Sequence, residues 1–452
     1  MALLSPGKRI KLEALWRSMP PRVRTGLYGA AQAAAAADPE SQGLLDVFNE
    51  LEALMGEPAG DLAKAYLFEP LRALTAEPNS VPPSKYRFSP DNLSKIWGWL
   101  GRQIAKELVE EVRKCRKPGS DPVWNDYRCD AAAALAEAVA RADRVPKDMT
   151  ALDKRFGPDC RSMLHDAVDL LKFNERIAAA MVDIPAVVDD FDPELCELVR
   201  AQHEQLLAEA PESAVWLLLL VMGRLTSPWQ IFRVVEKIGR RGDDLVVSKT
   251  ELAAIGDTVL ADTGFYAGKL KHPPANMAEA QDYFETFERY VGYSTGMVQE
   301  FGIRKDGRWG RSLFGLRAEA STNVEKVMEK VPLALDTGLP EPRRGRSGRI
   351  IPAQLPPTAA IERATGLLYF LFRAREHANA AAIASAQKRI YEQAERRMQE
   401  AGKMLVDLVA DSSGQARVSA EECLAIVANL LDAAGSTESA GLLRRRGIAA
   451  AA

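Results

Sequence analysis

Residues 89–115, SPDNLSKIWGWLGRQIAKELVEEVRKC, contain the pattern that decides the fold class. Their apolar side chains recur at steps of three and four residues: Leu93, Ile96, Trp97, Leu100, Ile104, Leu108, Val112 and Cys115. Charged residues occupy the positions between them, so one face of a helix is apolar and the other is polar. The stretch predicts an amphipathic helix of about six turns that starts after Ser89 and stops at Lys117-Pro118-Gly119.

The same start signal and the same period recur along the chain. An N-cap side chain precedes a proline at Asp38-Pro39, Ser89-Pro90, Asp121-Pro122, Asp192-Pro193 and Ser227-Pro228. Helical periods cover residues 40–56, 58–76, 160–181, 193–209, 213–223, 228–240, 277–301, 318–335 and 418–433. Residues 244–248, DLVVS, form the one strand-like segment. The sequence therefore predicts an all-α fold, an array of irregular helical hairpins and bundles with a long C-terminal helical segment.

That C-terminal segment carries a heptad-like seam. Its apolar positions step by three and four residues through Tyr391, Ala394, Met398, Ala401, Leu405 and Leu408, and the same steps extend backwards to His377. The favoured interpretation is a helix packed within its own domain. The alternative is an intermolecular coiled coil, in which Tyr391, Met398 and Leu405 contact a partner.

Prolines and glycines interrupt the helical period at residues 337–357, TGLPEPRRGRSGRIIPAQLPP. A weaker break lies near residue 118. We therefore expect an N-terminal helical region with a basic arm (1–118), a central helical body (119–336), a loop or linker (337–357) and a C-terminal helical region (358–452).

The overall charge excludes some classes of function. The 452 residues include 59 Lys and Arg and 62 Asp and Glu, a formal net charge of −3, which gives the whole chain no electrostatic footprint for nucleic acid or membranes. The charge is unevenly placed, however. Residues 1–24, 341–349 and 444–446 carry +5, +3 and +3, which leaves −14 on the rest. Arg343, Arg344, Arg346 and Arg349 are therefore candidate contacts to an anionic partner, with basic segments folded onto an acidic body as the plainer interpretation.

The motifs of common catalytic and cofactor sites are missing from the sequence. There is no phosphate-binding glycine loop, and no H-E-x-x-H or other metal spacing joins the four histidines. Cys160 and His165 lie about 140° apart around one helix, so they do not form a nucleophile–base pair. The acids of residues 183–194 are better explained as a cap and a solvated turn than as a Mg²⁺ site. We predict no catalytic, metal or cofactor-binding residues.

One aromatic stretch is compatible with a ligand-binding site. Tyr283, Phe284, Phe287, Tyr290, Tyr293 and Phe301 lie at helical spacing, which is typical of core but also of a wall of an apolar pocket. The basic tract that follows, residues 304–311 with Trp309, is expected to be an exposed loop.

These observations favour a non-enzymatic, cytoplasmic helical protein that acts through a protein partner or self-association, as a scaffold or assembly factor. The N-terminus has no signal-peptide pattern, and the longest apolar run, residues 214–223, is too short to span a bilayer, which predicts a buried core helix. One alternative is a helical enzyme or apolar-ligand protein that uses the 283–301 helix. A second is binding of nucleic acid or lipid through the basic loop 343–349.

Overall fold

A computed structural model describes residues 62–75, 86–114, 123–157, 160–239, 244–346, 350–352 and 354–451, and a few single positions before residue 62. The chain forms two compact units. The first unit comprises Met1–Ala261 and Gln299–Trp309, and the second comprises Asp262–Val298 and Gly310–Ala452. The four regions expected from the sequence are based on its composition, and their boundaries remain a prediction. The basic arm 1–24 and the helix expected at 40–56 lie outside the described ranges.

Helices dominate the described chain, which confirms the all-α fold class. Those wholly in the first unit are α1 Leu62–Phe68, α2 Pro90–Trp99, α3 Lys106–Lys114, α4 Val123–Arg144, α5 Pro146–Phe156, α6 Cys160–Lys172, α7 Asn174–Ala180, α8 Pro193–Glu209, α9 Pro211–Arg224, α10 Phe232–Gly239 and α11 Asp244–Val247. Three helices contribute residues to each unit: α12 Ala253–Lys269, α13 Met277–Phe301 and α14 Arg308–Met328.

The remaining elements belong to the second unit. They are α15 Lys330–Gly338, β1 Arg343–Arg344, β2 Ile350–Ile351, α16 Thr358–Arg373, α17 Ala384–Asp411, α18 Gln415–Ala433 and α19 Thr437–Ala451. At 28 residues, α17 provides the long C-terminal helix that the sequence predicts. None of the described helices combines the length and apolar content that a bilayer crossing needs.

Two of the predicted proline-linked caps are confirmed. The Ser89 hydroxyl accepts a hydrogen bond from the Asn92 N–H (3.0 Å), and the Asp192 carboxylate accepts one from the Leu195 N–H (2.8 Å). Each satisfies a backbone donor that has no acceptor inside the helix. Ser227 is different, because its side chain makes no capping hydrogen bond and a 3₁₀ turn, Pro228–Ile231, comes before α10. The pairs at Asp38 and Asp121 lie outside the described residues.

The helix predicted across residues 89–115 is not continuous. A π turn at Leu100–Ile104 follows α2, and Ala105 leaves the helical conformation (φ −141°) before α3 begins. Periodicity missed the break because the π turn lets α3 keep its apolar face inward.

The prediction of a strand at residues 244–248 is also wrong, since Asp244–Val247 forms the helical turn α11. Five residues are too few for the apolar period to distinguish a strand from a helix, and no strand pairs with this segment in the described chain.

The cores of the two units are built on different sequence patterns. In the first unit, α9 is apolar on all sides, and its residues 216–222 are 8% exposed or less, as predicted for a core helix. In the second unit, the seam of α17 supplies the core: Ala394, Met398, Ala401, Leu405 and Leu408 are at most 7% exposed. The seam does not continue as helix back to His377, because the chain turns at residues 378–383, where Ala382 has a positive φ of 58°.

Candidate partner-binding surface

A short β-hairpin carries the arginine tract of residues 343–349. Arg343 pairs with Ile351 and Arg344 pairs with Ile350 in antiparallel register. Ile350 packs against the core of the second unit, whereas Arg343, Arg346 and Ile351 are exposed. The side chain of Arg344 and all of Arg349 lie outside what the structure describes. The hairpin therefore holds two of the four predicted arginines toward solvent on an anchored ribbon.

Arg397 of α17 fastens the start of this hairpin to the helical body. Its guanidinium lies 2.7 Å from the Asp336 carboxylate in α15 and donates to both Glu341 oxygens, one of them at 3.0 Å. It also donates to the Pro332 carbonyl at 3.3 Å. The hydrogen bonds to Glu341 raise the pKa of Arg397 more than burial lowers it. One guanidinium thus joins three segments, an arrangement that the planar, multi-donor arginine suits and lysine does not.

Three aliphatic side chains in the hairpin or within ten residues of it in sequence are exposed. Leu333 is 65% exposed, Ile351 54% and Leu355 49%. Leu333 lies one helical turn before Asp336 and so shares the face of α15 that contacts Arg397. Ile351 lies directly across the ribbon from Arg343. We call these exposed side chains the hairpin surface: Leu333, Arg343, Arg346, Ile351 and Leu355.

The seam residues predicted to contact a partner are in the interior of the second unit. Met398 and Leu405 are fully buried, and the Tyr391 hydroxyl lies 3.0 Å from the Ala434 carbonyl, to which it donates. A partner contact through these three side chains would require this packing to open.

The tract at residues 304–311 is not an exposed loop throughout, which corrects the sequence prediction. The helix α14 already begins at Arg308, and Trp309 is fully buried in the first unit. Arg308 donates to the Asp257 carboxylate at 2.7 Å, and the Trp309 Nε1–H donates to the same carboxylate at 3.0 Å. This arginine is therefore bound within its own unit.

The aromatic side chains of residues 283–301 are all buried, with exposures from 0% to 6%. In the second unit, the Phe370 ring lies edge-on to Tyr283 and Phe287, at centroid distances of 4.7 and 5.7 Å. Tyr283 and Phe287 are therefore packed against another ring of the protein. Among the described residues, no group of three His, Cys, Asp or Glu side chains is placed to hold a metal ion.

Comparison with protein-family models, curated proteins and solved structures finds no match to this chain. The assignment of a site therefore depends on the residues themselves. Sequence reasoning identified the hairpin arginines but missed Leu333, Asp336, Glu341 and Arg397. The Arg396-Arg397 pair beside an apolar seam was the available signal, because one arginine of such a pair lies near the edge of the buried face.

Proposed function

We propose that this chain is a non-enzymatic helical interaction protein, a scaffold or assembly factor, that binds a protein partner through the hairpin surface. The observation that carries the proposal is the exposure of Leu333, Ile351 and Leu355 together with that of Arg343, which lies across the ribbon from Ile351, and of Arg346. Arginine is enriched at protein interfaces, and exposed aliphatic groups near it gain free energy when a partner covers them.

The anchoring of the hairpin supports the same proposal. Arg397 holds Glu341, two residues before Arg343, against α15 and α17. A surface that is ordered before binding loses less conformational entropy when its partner arrives. We place this activity in the cytoplasm. The four described cysteines, Cys129, Cys160, Cys196 and Cys423, are free thiols, which suits a reducing compartment.

The test is affinity purification of the full chain from its native cells, with two charge-reversed variants. The first combines Arg343→Glu with Ile351→Glu in the hairpin surface. The matched control combines Arg445→Glu with Ile448→Glu on α19, where both side chains are exposed as well. Circular dichroism of each variant checks that the fold is retained.

We expect a stoichiometric protein, or a second copy of the chain, to be retained by the wild type and the α19 control and lost from the hairpin variant. Equal retention by all three would contradict the proposal. Loss from the α19 control alone would place the interaction on the last helix.

A further inference from the structure

The base of the hairpin is held by an ionic contact that is partly open to solvent. Arg397 donates to both carboxylate oxygens of Glu341, one of them at 3.0 Å, and the two side chains are 26% and 35% exposed. The same guanidinium lies 2.7 Å from Asp336, whose side chain is 56% exposed. Charged groups with such exposure attract each other less as the salt concentration rises. The contact that holds the hairpin therefore depends on ionic strength.

The two acids that bind Arg397 lie on opposite sides of a buried segment. Asp336 belongs to α15, and residues 338–340 after it are buried. Glu341 follows this segment and lies two residues before the start of β1. Loss of the Asp336 contact therefore leaves the hairpin held through Glu341, whereas loss of the Glu341 contact releases the base of the hairpin.

The hairpin beyond Glu341 is short. Each of its strands has two residues, and a two-stranded hairpin by itself is only marginally stable in water. Pro342 is buried and Ile350 packs against the core of the second unit, whereas Arg343 and Ile351 are exposed. A segment with short strands and exposed side chains opens at a lower free energy than a packed helical core.

We infer that the hairpin opens as a unit while the helices of the second unit stay folded, and that Arg397 is the positioning residue that keeps it closed through Glu341. This inference rests on the proposed function, because the closed hairpin is the state that places Arg343 and Ile351 side by side for a partner. The apparent affinity of the partner falls with the fraction of molecules that are closed. Ionic strength thus regulates binding at the hairpin surface without unfolding the second unit.

The test is hydrogen–deuterium exchange of the full-length protein, followed by mass spectrometry of the peptides that contain β1 and β2. Three variants each remove one negative charge: Glu341→Gln, Asp336→Asn and, as the matched control, Glu400→Gln. Glu400 is exposed on α17, about one turn after Arg397. Exchange is measured at low and at high sodium chloride concentration, and peptides from the buried seam of α17 report whether the helices stay folded.

We expect Glu341→Gln to speed exchange in the hairpin peptides by at least about tenfold at low salt, because hydrogen bonds between two charged groups are lost. Asp336→Asn and Glu400→Gln should change this rate by less than about threefold. Hairpin exchange in the wild type should become faster as salt is added, and Glu341→Gln should remove this dependence. Exchange in the seam of α17 should be the same in all four proteins.

Four results would each overturn the inference. They are equal hairpin exchange in Glu341→Gln and Glu400→Gln, equal acceleration by Asp336→Asn and Glu341→Gln, a wild-type rate that does not depend on salt, and equal acceleration in the hairpin and in α17. The exchange rates are measured without a partner, so their failure leaves the affinity purification of the hairpin variant as it stands. Equal retention in that purification would contradict the proposed function without changing the exchange rates.

Discussion

The two arginine- and glycine-rich tracts, residues 304–309 in the first unit and residues 341–351 in the second, look alike in sequence but are used in opposite ways. In the first, Arg308 and Trp309 share the Asp257 carboxylate, and the indole is fully buried. In the second, Arg343 and Arg346 point to solvent from a hairpin. The first unit supplies an acid and a close-fitting site for the indole, whereas Arg343 and Arg346 contact no acid among the described residues.

The first tract is held in place by a close contact between the Trp309 indole and a glycine, Gly256, which has no side chain. Trp309 lies against Gly256 so closely that a Cβ there would be 2.2 Å from its Cζ2 atom. Phe232 and Phe301 complete the cluster, with ring centroids 6.3 and 5.9 Å from the indole. In the hairpin, Ile350 packs against the core of the second unit, while Arg343, Arg346 and Ile351 are exposed. The first tract should therefore control stability and the second should not.

Replacing Trp309 is the strongest test of this contrast. We expect Trp309→Ala to lower the free energy of unfolding by about 3–5 kcal/mol, because the substitution leaves a large cavity and removes one hydrogen-bond donor to the Asp257 carboxylate. Chemical denaturation followed by circular dichroism measures the change. A loss below about 1 kcal/mol would show that the buried cluster does not stabilise the first unit.

Overpacking the same contact should have the next largest effect. Gly256→Ala forces a methyl group into the indole and should cost about 1–3 kcal/mol. Gly268 of the same helix, α12, is the matched control, since a Cβ there meets nothing within 4 Å. Gly268→Ala should be neutral or stabilise by up to about 1 kcal/mol. Equal effects of the two substitutions in thermal unfolding would argue against the close fit of Trp309.

The partners of these tracts also show what the sequence can and cannot predict. The helices α8 and α13 span 193–209 and 277–301 as expected, because caps and apolar period are local signals. The pairing of Arg308 with Asp257 joins residues 51 positions apart, and that of Arg397 with Glu341 joins residues 56 apart. No local pattern encodes such pairs, so an arginine tract alone does not distinguish an anchor from an open surface. For the same reason the hairpin was predicted only as a loop.

The shared carboxylate gives a smaller and more specific test. Asp257→Asn removes the charge that Arg308 contacts and leaves one oxygen to accept from Trp309. We expect a loss of about 1–2 kcal/mol, because the Arg308 side chain is about half exposed and water partly replaces the ion pair. Denaturation at low and high salt should show a smaller difference between variant and wild type at high salt. A difference that does not depend on salt would assign the loss to packing.

Acidification tests a buried group of the first unit that, unlike Arg308, has no partner. Neither ring nitrogen of His203 has a hydrogen-bond partner in the described chain. Burial lowers its pKa, against smaller opposite effects of Glu251 and Glu204. The unfolded chain therefore binds a proton that the folded chain does not as the pH falls below about 6.5. Stability should therefore fall as the pH drops below about 6.5, and His203→Leu should reduce this dependence. An unchanged pH profile in that variant would assign the effect to other groups.

We expect the smallest effect on stability from substitution of the two arginines of the hairpin surface, Arg343 and Arg346. Arg343→Ala and Arg346→Ala should each change the free energy of unfolding by less than about 0.5 kcal/mol, since these side chains are exposed and bind no acid in the described chain. The same substitutions should weaken retention of the partner in affinity purification. Arg343 and Arg346 would then have a role in binding, whereas Arg308 has a role in the stability of the fold. A loss of stability comparable to that of Asp257→Asn would erase the contrast, because it would make the hairpin arginines structural as well.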